Sequence, residues 1–174
     1  MSEPPGYEYR VEPLSAFHDR AAFHSGSPEL DHYFHQQAGQ DARRRVAAPF
    51  VMLDETESLV GYYTLSAYSV QSRELPEAVA RKLPRYPLLP ATLLGRLAIA
   101  AAYRGKKLGH LLLMDALYRS LRSTSEVASV GVVVEALDDA ALEFYRHHEF
   151  RSLADRPNRL FLPMLTIEKA YKAG

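Results

Sequence analysis

The chain has no cysteine, which removes disulfides, thiolate metal sites and cysteine nucleophiles together. It also has no excess charge of either sign. With 21 basic and 21 acidic side chains its formal net charge is zero, so no global field directs it to nucleic acid or membrane, and any basic surface must be local. No apolar run is long enough to span a bilayer, and Met1 to Gly6 has no cationic start followed by an apolar stretch. Neither a transmembrane segment nor a secretory leader is therefore expected, and the reading is a soluble cytoplasmic protein. Internal repeats and low-complexity segments are missing too. The 174 residues suit one domain, 1–174, with a core that needs no staples. His32 and His35 share a helix face and His147 and His148 are adjacent, yet no HExxH, third ligand at metal spacing or Gly-x-Ser-x-Gly accompanies them. No metal is expected, and these side chains read as surface or capping groups.

What is present is a regular alternation of strand and helix signals. Residues 7–13 alternate as a first strand, and 14–23 read as a short helix or turn. Ser27-Pro28-Glu29 opens a helix: serine supplies the N-cap oxygen, proline fits the first helical position, and glutamate faces the positive end of the dipole. Leu30, Tyr33, Phe34, Gln37 and Ala38 form its inner stripe, and the helix runs into Arg43-Arg44-Arg45. Strands over 48–54 and 59–69 flank the acidic turn Glu55 to Ser58 and predict an antiparallel hairpin. A short helix is expected over 76–83. The proline-rich stretch 84–90 reads as an extended, partner-facing loop, because each proline biases its predecessor away from helix. Then follow a strand over 91–100, a helix over 106–122, a strand over 129–136, a helix over 138–148 and a last strand around 159–166.

The most specific stretch is residues 93–109, an apolar strand that passes through Arg104-Gly105-Lys106-Lys107-Leu108-Gly109 into a helix. Amide groups at a helix start, with the helix dipole behind them, form an anion site that needs small residues where the ligand approaches the main chain. Cations there oppose the dipole at up to ~1 kcal/mol each, so three of them point to a bound anion such as a pyrophosphate. A turn with solvated charges is the plainer alternative. After the next apolar strand, Ala140-Ala-Leu-Glu-Phe-Tyr145 places a tyrosine on an amphipathic helix.

This order of strand, basic turn, helix, strand and tyrosine helix resembles the GNAT family of acetyl-CoA-dependent N-acetyltransferases. The resemblance implies an α/β fold: a mixed, mainly antiparallel central sheet with helices on both faces and a V-shaped splay between the two central strands. Arg104 and Gly109 match the family's Arg/Gln-x-x-Gly-x-Gly/Ala loop, with Lys107 in place of its middle glycine. Glu149 stands where relatives often carry glycine before the last phenylalanine. The resemblance assigns acetyl-CoA to Arg104, Gly105, Lys106, Lys107, Leu108 and Gly109, to the backbone of Leu97, Ala98 and Ile99, and to Phe144. It makes Tyr145 the proton donor to the leaving coenzyme A thiolate; taken without the upstream loop, Tyr145 with Leu142 and Phe144 beside it reads first as amphipathic core.

Within the family, the chain is similar to the toxin acetyltransferases of bacterial toxin–antitoxin pairs. The matching stretches are Phe23 to Asp31, Gly61 to Ser66, Pro87 to Ala98, Leu112 to Leu117 and Phe144-Tyr145. That similarity implies aminoacyl-tRNA as acceptor, a small ribbon-helix-helix antitoxin and a homodimer. It places Arg96 on the acceptor side, where a salt-bridged strand residue is the alternative. Arg43, Arg44 and Arg45 read as contacts to tRNA phosphates or as a solvated helix end. An α-amino group titrates near 8, lower beside an ester, so this acceptor needs no dedicated base. A lysine acceptor would need one, and the sequence offers no obvious carboxylate for it, with Glu135 at the end of its strand as the one candidate. The other readings are an acetyltransferase of a small-molecule or protein amine, and a catalytically silent module that binds coenzyme A or serves as a repressor subunit.

Overall fold

Residues 8–173 are described by a computed structural model. The start of the first expected strand and the Met1 to Gly6 stretch lie outside them. Seven strands form one mixed sheet in the order β1-β2-β3-β4-β5-β7-β6. The chain divides into two compact units, one of Met1–Ser66 with Arg96–Ala116, the other of Ala67–Gly95 with Leu117–Gly174.

In the first unit, β1 (Arg10–Pro13) pairs antiparallel with β2 (Ala48–Leu53), and β2 with the first part of β3 (Leu59–Gln71). The end of β4 (Leu88–Ile99) joins them where the Ala100 amide donates to the Val60 carbonyl at 2.7 Å. Asp54 organises the β2–β3 turn: its Oδ1 accepts from the amides of Thr56 (2.9 Å) and Ser58 (3.0 Å) and from the Thr56 hydroxyl (2.8 Å). The helix α1 (Pro28–Gln36) is capped by the Ser27 hydroxyl, which accepts from the Leu30 amide at 3.4 Å. Its Tyr33 and Phe34 enter a core with Phe23, Ala38, Val51, Leu53 and Tyr62. There Phe34 stacks on Tyr62 at 4.4 Å and Phe23 meets both edge-on. The first turns of α4 (Leu108–Ser123) bury Leu108, Leu112 and Leu113.

In the second unit, β5 (Gly131–Glu135) runs parallel to β4, pairing Val132, Val133 and Val134 with Thr92, Leu93 and Leu94. On its other edge it is antiparallel to β7 (Arg156–Pro163), which pairs with the short β6 (Arg151–Leu153). All three valines are fully buried, the unalternating apolar run of a strand covered on both faces. Gly131 is required by contact: a Cβ there would lie 2.4 Å from Phe161 Cζ. The helices are α3 (Glu77–Ala80), the rest of α4, α5 (Asp139–His147) and α6 (Met164–Ala173).

Four expectations need correction. The helix expected to run from Ser27 into Arg43 to Arg45 breaks at Gln37, and α2 (Ala38–Arg44) starts anew. Gln37, placed on the inner stripe, is exposed. The loop over 84–90 is shorter than read, because Leu88, Leu89 and Pro90 already belong to β4; Pro90 lacks a donor but its carbonyl accepts from Val130 at 2.8 Å. The last strand ends at Pro163, so residues 164–166 open a helix instead of finishing a strand.

Candidate active site

The basic turn is held in place by the residues beneath it. After β4, Ala101–Tyr103 make one 3-10 turn, fixed by the Ala101 amide donating to the His24 carbonyl at 2.8 Å. The Tyr103 hydroxyl donates to Asp54 Oδ2 at 2.5 Å. Desolvation pushes the Asp54 carboxyl up, but the hydroxyls of Tyr103 and Thr56 and the amides of Ser58 and Thr56 outweigh it, leaving the group down at about 2. The Arg104 guanidinium turns back to the Ser25 carbonyl. Ser25 is itself fixed by its amide and hydroxyl donating to Asp31 Oδ1 at 2.8 and 2.7 Å. Arg104 thus ties the turn to the start of α1, a role that its motif position did not reveal.

Above this base the main chain is open. Gly105 has φ +81° and nothing within 4 Å of where a Cβ would sit, and Lys107 has φ +60°. Arg104, Lys106 and Lys107 are exposed, while Leu108 is buried and anchors the first turn of α4. The first N–H groups of a helix have no intrahelical acceptor. Open main chain, a helix start and exposed cations together fit a pyrophosphate-bearing cofactor. Of the strand residues assigned to the same cofactor, Ala98 is buried and Leu97 and Ile99 are half-buried. They follow the end of the β4–β5 ladder, whose last pair is Leu94 with Val134.

Tyr145 lies in the second unit, on α5, whose N-cap Asp138 accepts from the Ala141 amide at 2.8 Å. Its ring packs between Phe144 (5.3 Å) and Phe150 (5.4 Å) and is 6% exposed. Burial pushes the phenol above its ordinary value, so it stays protonated at neutral pH. Among the described residues its hydroxyl makes no hydrogen bond, yet no buried side-chain N or O atom is left without a partner. Helix α5 closes in a Schellman turn: the Phe150 amide donates to the Tyr145 carbonyl at 3.1 Å and the Glu149 amide to the Arg146 carbonyl at 3.0 Å. Glu149 has φ +70°, the left-handed position that glycine usually fills.

Both residues that replace family glycines, Lys107 and Glu149, thus occupy left-handed backbone, where an L side chain costs roughly 1–2 kcal/mol. Glycine also adds freedom to the unfolded chain, at about 0.4–1 kcal/mol. Lys107→Gly and Glu149→Gly are each expected to stabilise the protein by up to about 1 kcal/mol. Urea titration measures this, and a loss of stability in both would show that neither backbone is strained.

The remaining candidates fall as follows. Arg43, Arg44 and Arg45 lie at the end of α2, all three exposed, with Arg45 at φ +60°. Arg96 is half-buried, and its guanidinium carbon lies 3.6 Å from the centroid of the Tyr33 ring. Among the described residues it makes no ion pair. Glu135 Oε2 accepts from Arg159 Nη2 at 3.0 Å, and Arg159 Nη1 donates to the Tyr68 hydroxyl at 2.5 Å; this carboxylate is engaged rather than poised as a base. His35 Nε2 lies 2.7 Å from the Phe23 carbonyl and His148 Nδ1 2.8 Å from that of Phe144, so both imidazoles serve local structure.

Comparison with known proteins agrees with this geometry. The model of the acetyltransferase (GNAT) family matches residues 11–150. A tRNA-acetylating toxin of Mycobacterium tuberculosis is 32% identical over 151 residues, which cover 87% of this chain and 89% of the toxin. Among solved structures, AtaT complexed with acetyl-methionyl-tRNAfMet superposes with a TM-score of 0.86 at 27% identity, covering 94% of this chain and 99% of AtaT. AtaTR bound with acetyl-CoA gives 0.83 at 27% identity, over 95% of this chain and 99% of that one. The chain belongs to the GNAT family of acetyltransferases.

Proposed function

We propose that the protein moves the acetyl group of acetyl-CoA onto the α-amino group of aminoacyl-tRNA and so acts as a toxin that blocks translation. The observation that carries the acetyl-CoA half is the open, left-handed turn from Gly105 to Lys107 at the start of α4. The acceptor half is supported by the similarity to a tRNA-acetylating toxin. In this reading the main chain of Arg104 to Gly109 holds the pyrophosphate, and the backbone of Leu97, Ala98 and Ile99 pairs with the pantetheine arm as an added strand would. Phe144 flanks the same cofactor. The neutral amine attacks the thioester carbonyl, a C–N bond forms, the C–S bond breaks, Tyr145 gives its phenolic proton to the departing thiolate, and the acylated nitrogen sheds its extra proton to solvent, from which the phenol is restored. With an acceptor amine near or below 8, no carboxylate base is needed, in keeping with the engagement of Glu135 by Arg159.

The same reading takes residues 1–174 as one catalytic domain, cytoplasmic and homodimeric, neutralised by a ribbon-helix-helix antitoxin. Among the described residues no helix is long and apolar enough to cross a membrane. Arg43, Arg44 and Arg45 contact the tRNA backbone, with Arg96 on the acceptor side.

Incubation of charged tRNA and cell protein with labelled acetyl-CoA, followed by mass spectrometry, tests the acceptor. Label on the aminoacyl group is expected; label confined to protein or to free amines would return the assignment to another acceptor class. Replacing Arg43, Arg44 and Arg45 together by alanine should weaken tRNA binding and flatten its log–log salt slope by up to about 0.9 for each phosphate that is no longer neutralised. A salt titration of parent and triple mutant gives that slope, and identical slopes would make the run a solvated helix end.

A further inference from the structure

Arg96 stands out among the cations of the first unit. Its half-buried guanidinium lies over Tyr33, 3.6 Å from the ring centroid, and among the described residues it makes neither a hydrogen bond nor an ion pair. A partly desolvated charge is costly unless paired. Stacking satisfies only the face of the guanidinium, and its N–H donors lie in the plane, directed outward.

The platform beneath it is rigid. Tyr33 is 3% exposed, its ring is near-parallel to that of Tyr62 at 6.4 Å, and its hydroxyl donates to Asp41 Oδ2 at 2.8 Å. The Tyr62 hydroxyl donates to the Leu30 carbonyl at 2.7 Å. Burial first, and then the bond to Asp41, push the Tyr33 phenol above its ordinary value, against the opposing pull of Arg96; the hydroxyl therefore remains a donor. Because that hydroxyl engages Asp41, this carboxylate serves Tyr33 and not Arg96. The Asp41 carbonyl also accepts from the Val46 amide at 2.9 Å and so closes the helix that ends in Arg43 to Arg45. Arg96 and the arginine run are thus set on one frame.

We infer that Arg96 is a preorganised two-pronged donor for a phosphate of the acceptor nucleic acid, with Tyr33 and Asp41 as its positioning residues. This rests on the acceptor being aminoacyl-tRNA, which carries phosphodiesters and no free carboxylate at its reacting end. A planar fork matches a phosphate through two parallel N–H···O bonds, and a lysine ammonium does not reproduce that geometry.

The test compares two acceptors with the same amine and ester, charged tRNA and an amino-acid ester of a simple alcohol, in steady-state assays of the full chain. Arg96→Gln is expected to lower the preference for charged tRNA, taken as the ratio of the two kcat/KM values, by about 10- to 100-fold through KM, the range of charge-assisted hydrogen bonds. Arg96→Lys should recover only part of that loss. Tyr33→Phe keeps the ring but cuts the tether to Asp41 and should cost a few-fold; Tyr33→Leu removes the platform and should approach Arg96→Gln. Should Tyr33→Leu fail to fold, the order of Arg96→Lys and Tyr33→Phe decides. An unchanged preference in Arg96→Gln, or full rescue by lysine, overturns the inference while leaving the acetyltransferase reading intact. A parent protein active on the simple ester and inactive on charged tRNA refutes the acceptor reading, and this inference with it.

Discussion

Tyr145→Phe is expected to bind acetyl-CoA like the parent and to turn over about 10²–10⁴-fold more slowly, the range for loss of a positioned proton donor. The substitution deletes one oxygen from a side chain whose ring is otherwise enclosed by Phe144 and Phe150. Among the described residues the hydroxyl bonds nothing, so its removal leaves no partner unsatisfied, and stability should hold or rise slightly. That separation makes the result interpretable: a core tyrosine would show a structural cost and no kinetic one, and a proton donor shows the reverse. Because burial raises the phenol, the parent rate should also lack any fall on the alkaline side near 10, the ordinary value for tyrosine. Calorimetry with acetyl-CoA and a steady-state assay of both proteins decide it. A parent-like rate in the mutant would reduce Tyr145 to packing.

The parts of this molecule that were legible in its sequence are those governed by neighbours a few residues apart. The Ser27 cap, the β2–β3 hairpin, the strand-to-helix turn at Arg104 to Leu108 and the helix bearing Tyr145 all arise from local spacing. The errors have local causes as well. The helical pattern continues across Gln37, so nothing in the periodicity marks the break between α1 and α2. Leu160-Phe-Leu-Pro-Met-Leu165 reads as one β-prone run, and only the φ lock of Pro163 separates strand from helix within it. The three residues of β6 are too few for any periodic signal. What could not be read at all is which distant residues meet. Arg104 reaches Ser25 across 79 positions and Tyr103 reaches Asp54 across 49, and Arg96 lies over Tyr33, far upstream in the chain. Periodicity assigns a face to each of these side chains but not the partner that will cover it. The left-handed backbone at Lys107 and Glu149 was legible only through the resemblance, because lysine and glutamate carry no local signature of positive φ.

Gly109→Glu is expected to abolish measurable acetyl-CoA binding while making the folded chain slightly more stable. Gly109 follows Leu108 at the start of α4. Within a helix, glycine is about 0.8–1.0 kcal/mol worse than alanine and glutamate is close to alanine. A carboxylate in the first turn also gains from the helix dipole, by about 0.3–1 kcal/mol. Three exposed cations precede it at Arg104, Lys106 and Lys107, so the new charge has favourable neighbours in the free protein. In the proposed complex those same amides and cations face a pyrophosphate. A carboxylate about 4 Å from one phosphate charge opposes it by about 4 kcal/mol at an effective dielectric of about 20, close to a thousandfold in affinity. Stability and affinity should therefore move in opposite directions, which no misfolding artefact imitates. Thermal denaturation followed by calorimetric titration with acetyl-CoA gives both quantities from one preparation. If a folded, stabilised mutant binds as tightly as the parent, the turn before α4 does not hold the pyrophosphate, and the strain at Lys107 is a feature of the fold alone.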